Sequence, residues 1–187
     1  MIITKNPNIV YLSFTKCGSS SMYALLKNNL NVVKAKSKGH KKIDEQYLDT
    51  HTILTVSRNP YSRMVSWWNS AIRGDPQDRY KHKEELKRAS LTQSFDDFCY
   101  LWCNIKKVPS QYDSIFIYNP TLKNIKNIKL ENLNNEICEF LNINVDIPSR
   151  NSRLDSNEYK KYLTDRSISI INNYYKKDFE YFGYEIK

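Results

Sequence analysis

An apolar run that ends in a lysine, a glycine and three serines places the strongest constraint on how this chain folds. Residues 9–14 (IVYLSF) have the pattern of a short buried strand, and residues 20–30 have that of an amphipathic helix. A strand, a tight turn and a helix form a general cradle for anions, because the free amides that begin the helix point at the ligand. The segment therefore predicts an α/β fold with an anion site after its first confident strand.

The residues of the turn suit a phosphate or sulfate group. Lys16 supplies a full positive charge, and Gly18 lets the backbone approach a ligand closely. Further candidate donors are the amides and side chains of Cys17, Ser19, Ser20 and Ser21. The segment lacks the pattern G-x-x-x-x-G-K-[ST] of P-loop ATPases, since its lysine precedes the glycine. An N-cap serine beside an unrelated lysine is the alternative interpretation.

A second strand, predicted over residues 53–57, ends directly at Arg58. Asn59 and Pro60 then begin a helix as its N-cap and first residue. Ligands of open α/β sheets collect at the carboxyl ends of strands, and arginine offers a fork of donors suited to phosphate. Together with Lys16, this pattern indicates two neighbouring anion pockets and a ligand with two separated phosphate groups. A surface salt bridge of Arg58 is the alternative.

The rest of the chain alternates between strand and helix patterns. Strands are predicted over residues 31–35, 114–118 and 125–130, and helices over residues 43–48, 79–89, 95–105, 133–141 and 164–175. This alternation predicts a P-loop-like parallel sheet with helices on both faces, in a single domain over residues 1–187.

Composition narrows the choice of partners and compartment. The net charge of +9 favours an anionic partner without choosing among nucleotides, nucleic acid, glycans and membrane surfaces. The four cysteines lack a metal-binding spacing, which predicts free thiols in a reducing compartment. No stretch approaches the roughly 18 apolar residues of a membrane span, and the N-terminus has no signal-peptide pattern. We expect a cytoplasmic protein without a metal; the oligomeric state and a trimmed longer precursor stay open.

These segments together resemble the sulfotransferases that depend on 3′-phosphoadenosine 5′-phosphosulfate (PAPS), specifically the carbohydrate-type branch with short bacterial and viral members. FTKCGSSSM is similar to their 5′-phosphosulfate loop, P-K-x-G-[ST]-[ST], with Thr15 in place of the proline. SRNPYSRMVSWW is similar to their 3′-phosphate motif, R-[DN]-P-x-x-R-x-x-S-x-[YW]. Three further segments match in the right order: KLENL at 129–133, IPSRNSRLDSNEYKKYLTD at 147–165 and YYKKDFEYFGYE at 174–185.

The resemblance implies transfer of a sulfuryl group from PAPS to an acceptor hydroxyl. Glycans and small molecules come first as acceptors, an anionic glycan among them, and lipids and protein tyrosines stay open. The family pattern places the 3′-phosphate on Arg58 and Ser66, although geometry alone would nominate Ser62. Arg63, the motif's second arginine, is expected to be mainly structural. Asn151 is expected to help close the nucleotide pocket.

Sulfuryl transfer needs in-line geometry, stabilisation of the leaving phosphate and a base for the acceptor proton. Lys16 and the amides of residues 17–21 would stabilise the charge that develops on the bridging oxygen. His40 matches the position at which family members often carry a histidine, and we take it as the base. His51 is the rival base, and Glu131 is a weaker alternative. The scheme requires no metal.

Two other functions serve as alternatives. A P-loop-type nucleotide or sugar kinase would need the P-loop lysine and a magnesium-binding carboxylate, and the sequence shows neither pattern. A non-enzymatic, basic nucleic-acid-binding protein would need a basic helix or a stacking platform. The basic residues here are spread along the chain, apart from 34–42. We therefore expect no nucleic-acid partner.

Overall fold

The computed structural model describes residues 1–35, 42–73, 94–145, 147 and 158–187. These residues divide into two compact units. The first comprises the described parts of Met1–Arg58 and Gln111–Arg153, and the second those of Asn59–Ser110 and Leu154–Lys187. This division does not test the prediction of one domain over residues 1–187, which stays a prediction. The predicted helix over residues 79–89 lies outside the described residues.

In the part of the chain described, the first unit contains a five-stranded mixed sheet with the order β3-β1-β2-β4-β5. Its strands are β1 (Ile2–Lys5), β2 (Ile9–Leu12), β3 (Asn31–Ala35), β4 (Thr52–Ser57) and β5 (Ile125–Lys129). β2, β4 and β5 are parallel, and β1 is antiparallel to both β2 and β3. The predicted α/β class, with parallel strands flanked by helices, is confirmed. β1 was not predicted, and it adds one antiparallel strand between two strands that were.

Seven α-helices occur in the same described ranges. They are α1 (Ser19–Asn29), α2 (Pro60–Arg73), α3 (Phe95–Tyr100), α4 (Gln111–Phe116), α5 (Leu133–Leu141), α6 (Asp165–Tyr174) and α7 (Lys176–Phe182). A π-helical turn at Leu101–Ile105 extends α3, and short 3₁₀ turns occur at Glu45–Tyr47, Leu130–Asn132 and Glu158–Tyr162. None of these helices is both long enough and apolar enough to cross a membrane.

The sheet of the first unit buries side chains on both of its faces, because successive residues of a strand point to opposite sides. On one face, Tyr11 and Val56 pack in a cluster with Met22 of α1 and Ile137 of α5. The cluster on the other face contains Ile3, Val10, Leu12, Ile53 and Ile43. These two apolar layers hold the strands in position, and the carboxyl ends of the parallel strands β2, β4 and β5 lie at one edge of the sheet.

The second unit has helices around an aromatic core. The buried residues of α2 recur at helical spacing and include Tyr61, Met64 and Val65, which pack in one cluster with Phe98 and Phe179. Asn59 caps α2 as predicted, since its side-chain oxygen accepts a hydrogen bond from the amide of Tyr61 at 3.0 Å.

The predicted strand over residues 114–118 is wrong, because this region belongs to α4. The buried residues of α4 are Gln111, Ser114 and Ile115, which have the i, i+3, i+4 spacing of a helix. Two of the three are polar, so an apolar pattern could not reveal the helical period. The short run Ser-Ile-Phe-Ile-Tyr fits strand and helix equally well by hydrophobicity. Burial, rather than local apolar pattern, decides the structure here.

Candidate active site

The two predicted anion segments meet at one edge of the sheet in the first unit. β2 and β4 are adjacent and parallel, with Leu12 opposite Thr55, so both strands end on the same side. The loop of residues 13–18 follows β2 directly, and Arg58 follows β4 directly. Ligands of open α/β sheets bind at this carboxyl edge.

The loop after β2 has a tightly constrained backbone. Lys16 and Gly18 both lie in the left-handed region, with φ of 66° and 69°. Glycine adopts this conformation without steric cost, whereas another residue loses about 1 kcal/mol. A Cβ atom on Gly18 would also lie 2.7 Å from Cδ1 of Leu130. The Ser19 hydroxyl closes the loop by donating to the carbonyl of Phe14 at 2.7 Å.

The loop leads directly into the positive end of α1. Gly18 is the N-cap of this helix, and its first turn contains no acidic residue. Amides in the first turn of a helix have no acceptor within the helix, and the helix dipole adds partial positive charge there. Ser20 is exposed, and Lys16, Ser19 and Ser21 are half-buried. A lysine charge and a helix N-terminus therefore occur together on one accessible loop.

Arg58 makes direct contact with this loop. Its Nη1 donates a hydrogen bond to the carbonyl of Lys16 at 3.1 Å, and its side chain is half-buried. The two basic residues that the sequence assigns to different phosphate groups therefore belong to one hydrogen-bonded assembly, 42 residues apart along the chain.

Gln111, the first residue of α4, joins the two segments and was missed by the sequence analysis. Its Oε1 accepts hydrogen bonds from the Arg58 amide at 2.8 Å and from the Cys17 thiol at 3.1 Å. Its Nε2 donates to the carbonyl of Arg58 at 2.9 Å, and the residue is fully buried. These partners lie 53 and 94 residues away in the sequence, so no local pattern marks this glutamine as part of the site.

Comparison with known proteins identifies the family. The model described as "Sulfotransferase family" matches residues 1–185. This chain belongs to the sulfotransferase family. A mouse sulfotransferase, SULT7A1, solved as a complex with PAP, has a similar fold with a TM-score of 0.51 and 14% sequence identity, over 95% of this chain and 86% of that chain. No curated protein gave a match.

Family membership confirms the predicted enzyme class. The sulfotransferase assignment, made from five segments in the right order, agrees with a family match over residues 1–185. It also decides against the kinase and the nucleic-acid-binding alternatives. Among the described residues, no three His, Cys, Asp or Glu side chains form a group that could hold a metal ion.

The structure describes only some of the remaining predicted site residues of this sulfotransferase. His40 and Asn151 lie outside the described residues. Ser66 is half-buried in the second turn of α2, in the second unit. Ser62 is buried, and its hydroxyl donates to the carbonyl of Asn59 at 3.2 Å. That hydroxyl is therefore used within the first turn of the helix, in accord with the preference for Ser66.

His51, the rival base, lies at the edge of the sheet opposite to the one that carries Lys16 and Arg58. It precedes Thr52, the first residue of β4, so the six residues of this strand, about 20 Å in length, separate it from Arg58. Its side chain is buried, and Nδ1 lies 2.8 Å from Oγ1 of Thr50. Burial lowers the pKa of His51 below its ordinary value, and a hydrogen bond with the Thr4 backbone partly offsets this. His51 is therefore a structural residue of the sulfotransferase.

Two leucines of the KLENL segment pack against the anion loop at Gly18. Leu130 and Leu133 are the side chains nearest to the position of a Cβ on Gly18, and Leu133 is buried. Glu131 is exposed and follows β5, whose last residue pairs with Ser57 at the carboxyl end of β4. Glu131 thus lies at the carboxyl edge of the sheet, and its assignment as a weaker alternative to His40 as the base stays a prediction.

Arg63 differs from Arg58 in its burial and in its contacts. It is 3% exposed, and its guanidinium lies 3.9 Å from the carboxylate of Asp178, which is fully buried. The guanidinium also lies 5.8 Å from the ring centre of Tyr175. Burial raises the pKa of the nearby Cys103 thiol to about 12, although Tyr175 and Arg63 oppose the shift. These contacts give Arg63 the structural role that the sequence analysis expected.

Proposed function

We propose that this enzyme transfers the sulfuryl group of PAPS to a hydroxyl group of an acceptor, with glycans and small molecules as the preferred acceptor classes. The observation that carries the proposal is the 3.1 Å hydrogen bond between Arg58 Nη1 and the Lys16 carbonyl. It joins a cationic loop and an arginine at one sheet edge. A nucleotide with phosphate groups on both its 5′ and 3′ positions matches such a pair of adjacent sites. The PAP named in the mouse structure is the product that PAPS leaves after transfer, and it supports this choice.

In the proposed chemistry, Lys16 and the first turn of α1 stabilise the leaving group. The acceptor oxygen attacks sulfur as the bond between sulfur and the bridging oxygen breaks, and PAP departs with the electron pair. Negative charge therefore grows on the 5′-phosphate. Lys16 and the amides of residues 17–21 stabilise that charge as it develops, which lowers the barrier more than it stabilises the bound substrate.

Arg58 is proposed to bind the 3′-phosphate through its guanidinium. Ser66 and Asn151 are proposed as further nucleotide ligands, and for these two the motif resemblance is the whole support. Cytoplasmic location and carbohydrate sulfation are also proposals. The first is supported by the four cysteines, Cys17, Cys99, Cys103 and Cys138, which form no disulfide and three of which are buried.

His40 is the proposed base, which accepts the proton of the acceptor hydroxyl. Its segment begins where β3 ends, at Ala35. Ala35 pairs with Ile2, and Ile2 pairs with Tyr11 near the carboxyl end of β2. β3 therefore ends on the edge that carries the Lys16 loop, which supports a residue a few positions later as a group of the active site.

The direct test is transfer of labelled sulfate from PAPS to a panel of glycans, phenols and alcohols. The wild-type enzyme should label at least one of them, and Lys16→Ala should lower kcat by about 100-fold to 1000-fold, as loss of an oxyanion donor does. Lys5→Ala is the matched control, because Lys5 is an exposed lysine whose strand ends at the opposite edge of the sheet. Equal activity in both variants would contradict the role of Lys16.

A second assay separates the two histidines. His40→Ala should lower kcat by about 100-fold or more while the Kd for PAP stays constant, because a base acts on the acceptor and not on the nucleotide. His51→Ala should keep the wild-type kcat. If His51→Ala alone loses kcat, the assignment of the base is wrong.

A further inference from the structure

We propose that Gln111 is a positioning residue of the nucleotide site, whose side-chain amide fixes Arg58 and the Lys16 loop relative to each other. The inference rests on the proposed function, since it concerns how the two phosphate-binding segments are held in register. It adds a residue from a third segment of the chain, α4, to a site that the sequence motifs draw from the first two.

The contacts of Gln111 with Arg58 determine the backbone at the end of β4. The glutamine amide accepts from the N–H of Arg58 and donates to its C=O, at 2.8 and 2.9 Å. Both polar groups of one residue are thus bound by one side chain, in the way that a neighbouring strand would bind them. This pairing fixes the direction in which the Arg58 side chain leaves the backbone, one residue after the regular sheet has ended.

The third contact of Gln111 extends this control to the anion loop. The same Oε1 accepts the thiol hydrogen of Cys17 at 3.1 Å, and Cys17 lies between Lys16 and Gly18. Arg58 in turn donates to the Lys16 carbonyl, which closes a ring of hydrogen bonds from Gln111 through both segments. Cys17 and Gln111 are both fully buried, so neither side chain is exposed to a bound nucleotide. Gln111 therefore acts through Arg58 and Lys16.

Only an amide of this length satisfies all three partners. A carboxylate accepts from the Arg58 amide and the Cys17 thiol, but it cannot donate to the Arg58 carbonyl. An apolar side chain of similar volume removes the hydrogen bonds that Gln111 makes to the N–H and C=O of Arg58, and it offers no polar group in their place. The geometry therefore distinguishes a hydrogen-bonding role from simple filling of space.

The test is calorimetric titration of the full-length chain with PAP. Gln111→Leu should raise the Kd for PAP about tenfold or more, the cost of misplacing one charged hydrogen-bonding group. Asn119→Leu is the matched control: Asn119 is also a buried amide of the first unit, and it accepts from the Ile43 amide at 2.8 Å instead of contacting either loop. The control should keep the wild-type Kd within about twofold.

A double-mutant cycle separates positioning from general damage. If Gln111 acts mainly by orienting Arg58, then Gln111→Leu in an Arg58→Ala background should weaken PAP binding by at most about threefold more, the share that passes through Cys17 to the Lys16 loop, because the contact between Arg58 and the phosphate is already absent. If Gln111→Leu instead weakened binding through general structural damage, it would raise the Kd for PAP by the same factor in the wild-type and the Arg58→Ala backgrounds. Fully additive losses, or a Kd in Gln111→Leu equal to that of Asn119→Leu, would overturn the inference.

Gln111→Glu supplies an internal rescue that does not depend on the folding of the leucine variant. The ionised carboxylate lacks the donor, whereas the protonated acid regains it. Burial at this position raises the pKa of a carboxyl group above its ordinary value of about 4.3, so the ratio of the variant's Kd to the wild-type Kd should fall as the pH is lowered from about 8 to about 5. A ratio that does not change with pH would count against the role of Nε2. Failure of the wild-type enzyme to bind PAP would instead refute the proposed function itself.

Discussion

Arg58 and Arg63 belong to one sequence motif, five positions apart, yet their surroundings are opposite. Arg58 is half-buried at a strand end, and its guanidinium donates to a loop carbonyl. Arg63 is 3% exposed, lies against the carboxylate of Asp178, and faces the ring of Tyr175. The first arginine remains reachable by an anionic ligand, whereas the second already has its anion inside the protein.

The comparison shows that one short motif can place a half-buried arginine at a strand end and a buried, ion-paired arginine only five positions later. A buried arginine with a buried carboxylate is costly to disrupt, because removal of one partner leaves an uncompensated charge. An arginine that is half-buried at a sheet edge, with a neutral carbonyl as acceptor, leaves no buried charge uncompensated when it is removed. Loss of stability and loss of ligand affinity should therefore separate cleanly between the two positions.

The largest effect is expected at the buried arginine. Arg63→Ala should lower the free energy of unfolding by about 3–5 kcal/mol, because Asp178 is left buried without its cation. Urea denaturation measures the loss. Arg166→Ala is the matched control from the same unit, because Arg166 pairs with Asp97 at 3.2 Å on the surface, with both side chains exposed.

The control should cost no more than about 1 kcal/mol, as exposed ion pairs do. A double replacement, Arg63→Met with Asp178→Leu, should recover much of the loss, since it removes both charges. If Arg63→Ala and Arg166→Ala destabilise the protein equally, the contrast between the two motif arginines fails on its structural side.

The next effect concerns the loop that Arg58 contacts. Gly18→Ala should lower the free energy of unfolding by about 1–2 kcal/mol, because its φ of 69° disfavours a Cβ. It should also weaken PAP binding several-fold, since relief of the contact with Leu130 moves the loop. Gly183→Ala is the control: Gly183 has φ of 64° as the C-cap of α7, so its substitution should cost similar stability and leave PAP affinity unchanged.

Equal losses of PAP affinity in both glycine variants would show that affinity merely follows stability. A loss confined to Gly18→Ala would show that the backbone of this loop is itself part of the binding site. Isothermal titration with PAP, paired with urea denaturation of each variant, distinguishes the two results.

The smallest effect extends the contrast to pH. Burial lowers the pKa of His51 below 6.5, so the folded protein binds fewer protons at this group than the unfolded chain does. Stability should therefore fall as the pH falls below about 6.5, and His51→Gln should show a shallower fall between about pH 7.5 and about pH 5.5. Denaturation midpoints at the two pH values provide the measurement. An unchanged slope in the variant would show that His51 does not titrate differently in the two states.

Elements with strong local patterns were predictable from the sequence. The helix over residues 133–141 was predicted with its exact boundaries, and the β4–Arg58–α2 succession was predicted from a buried strand followed by Asn-Pro. In both cases apolar spacing agrees with the burial that the structure shows, and for α2 the predicted N-cap, Asn59, is confirmed as well. Lys16, Gly18 and Arg58 were identified for the same reason, because they lie at the ends of such elements.

The failures share a dependence on distant partners. β1 is stabilised by pairing with two other strands, which the four residues IITK do not reveal. Two of the three buried residues of α4 are polar, so its helical period was not visible in the apolar pattern, and its first residue, Gln111, was missed. Its hydrogen bonds to Cys17 and Arg58 exist only once the sheet has brought both segments to one edge. Local pattern thus identified the charged residues of the candidate site but not the neutral residue, Gln111, that hydrogen-bonds to both segments.

The most direct test of the account compares two nucleotides on one variant. Titration of wild-type enzyme and Arg58→Ala with PAP and with adenosine 5′-phosphate asks whether Arg58 binds the 3′-phosphate while the Lys16 loop binds the 5′ end. The account predicts that Arg58→Ala weakens PAP about 10-fold to 100-fold, toward the level of adenosine 5′-phosphate, and weakens adenosine 5′-phosphate by no more than about threefold, through loss of the hydrogen bond to the Lys16 carbonyl. Equal weakening of both nucleotides, or of neither, would contradict it.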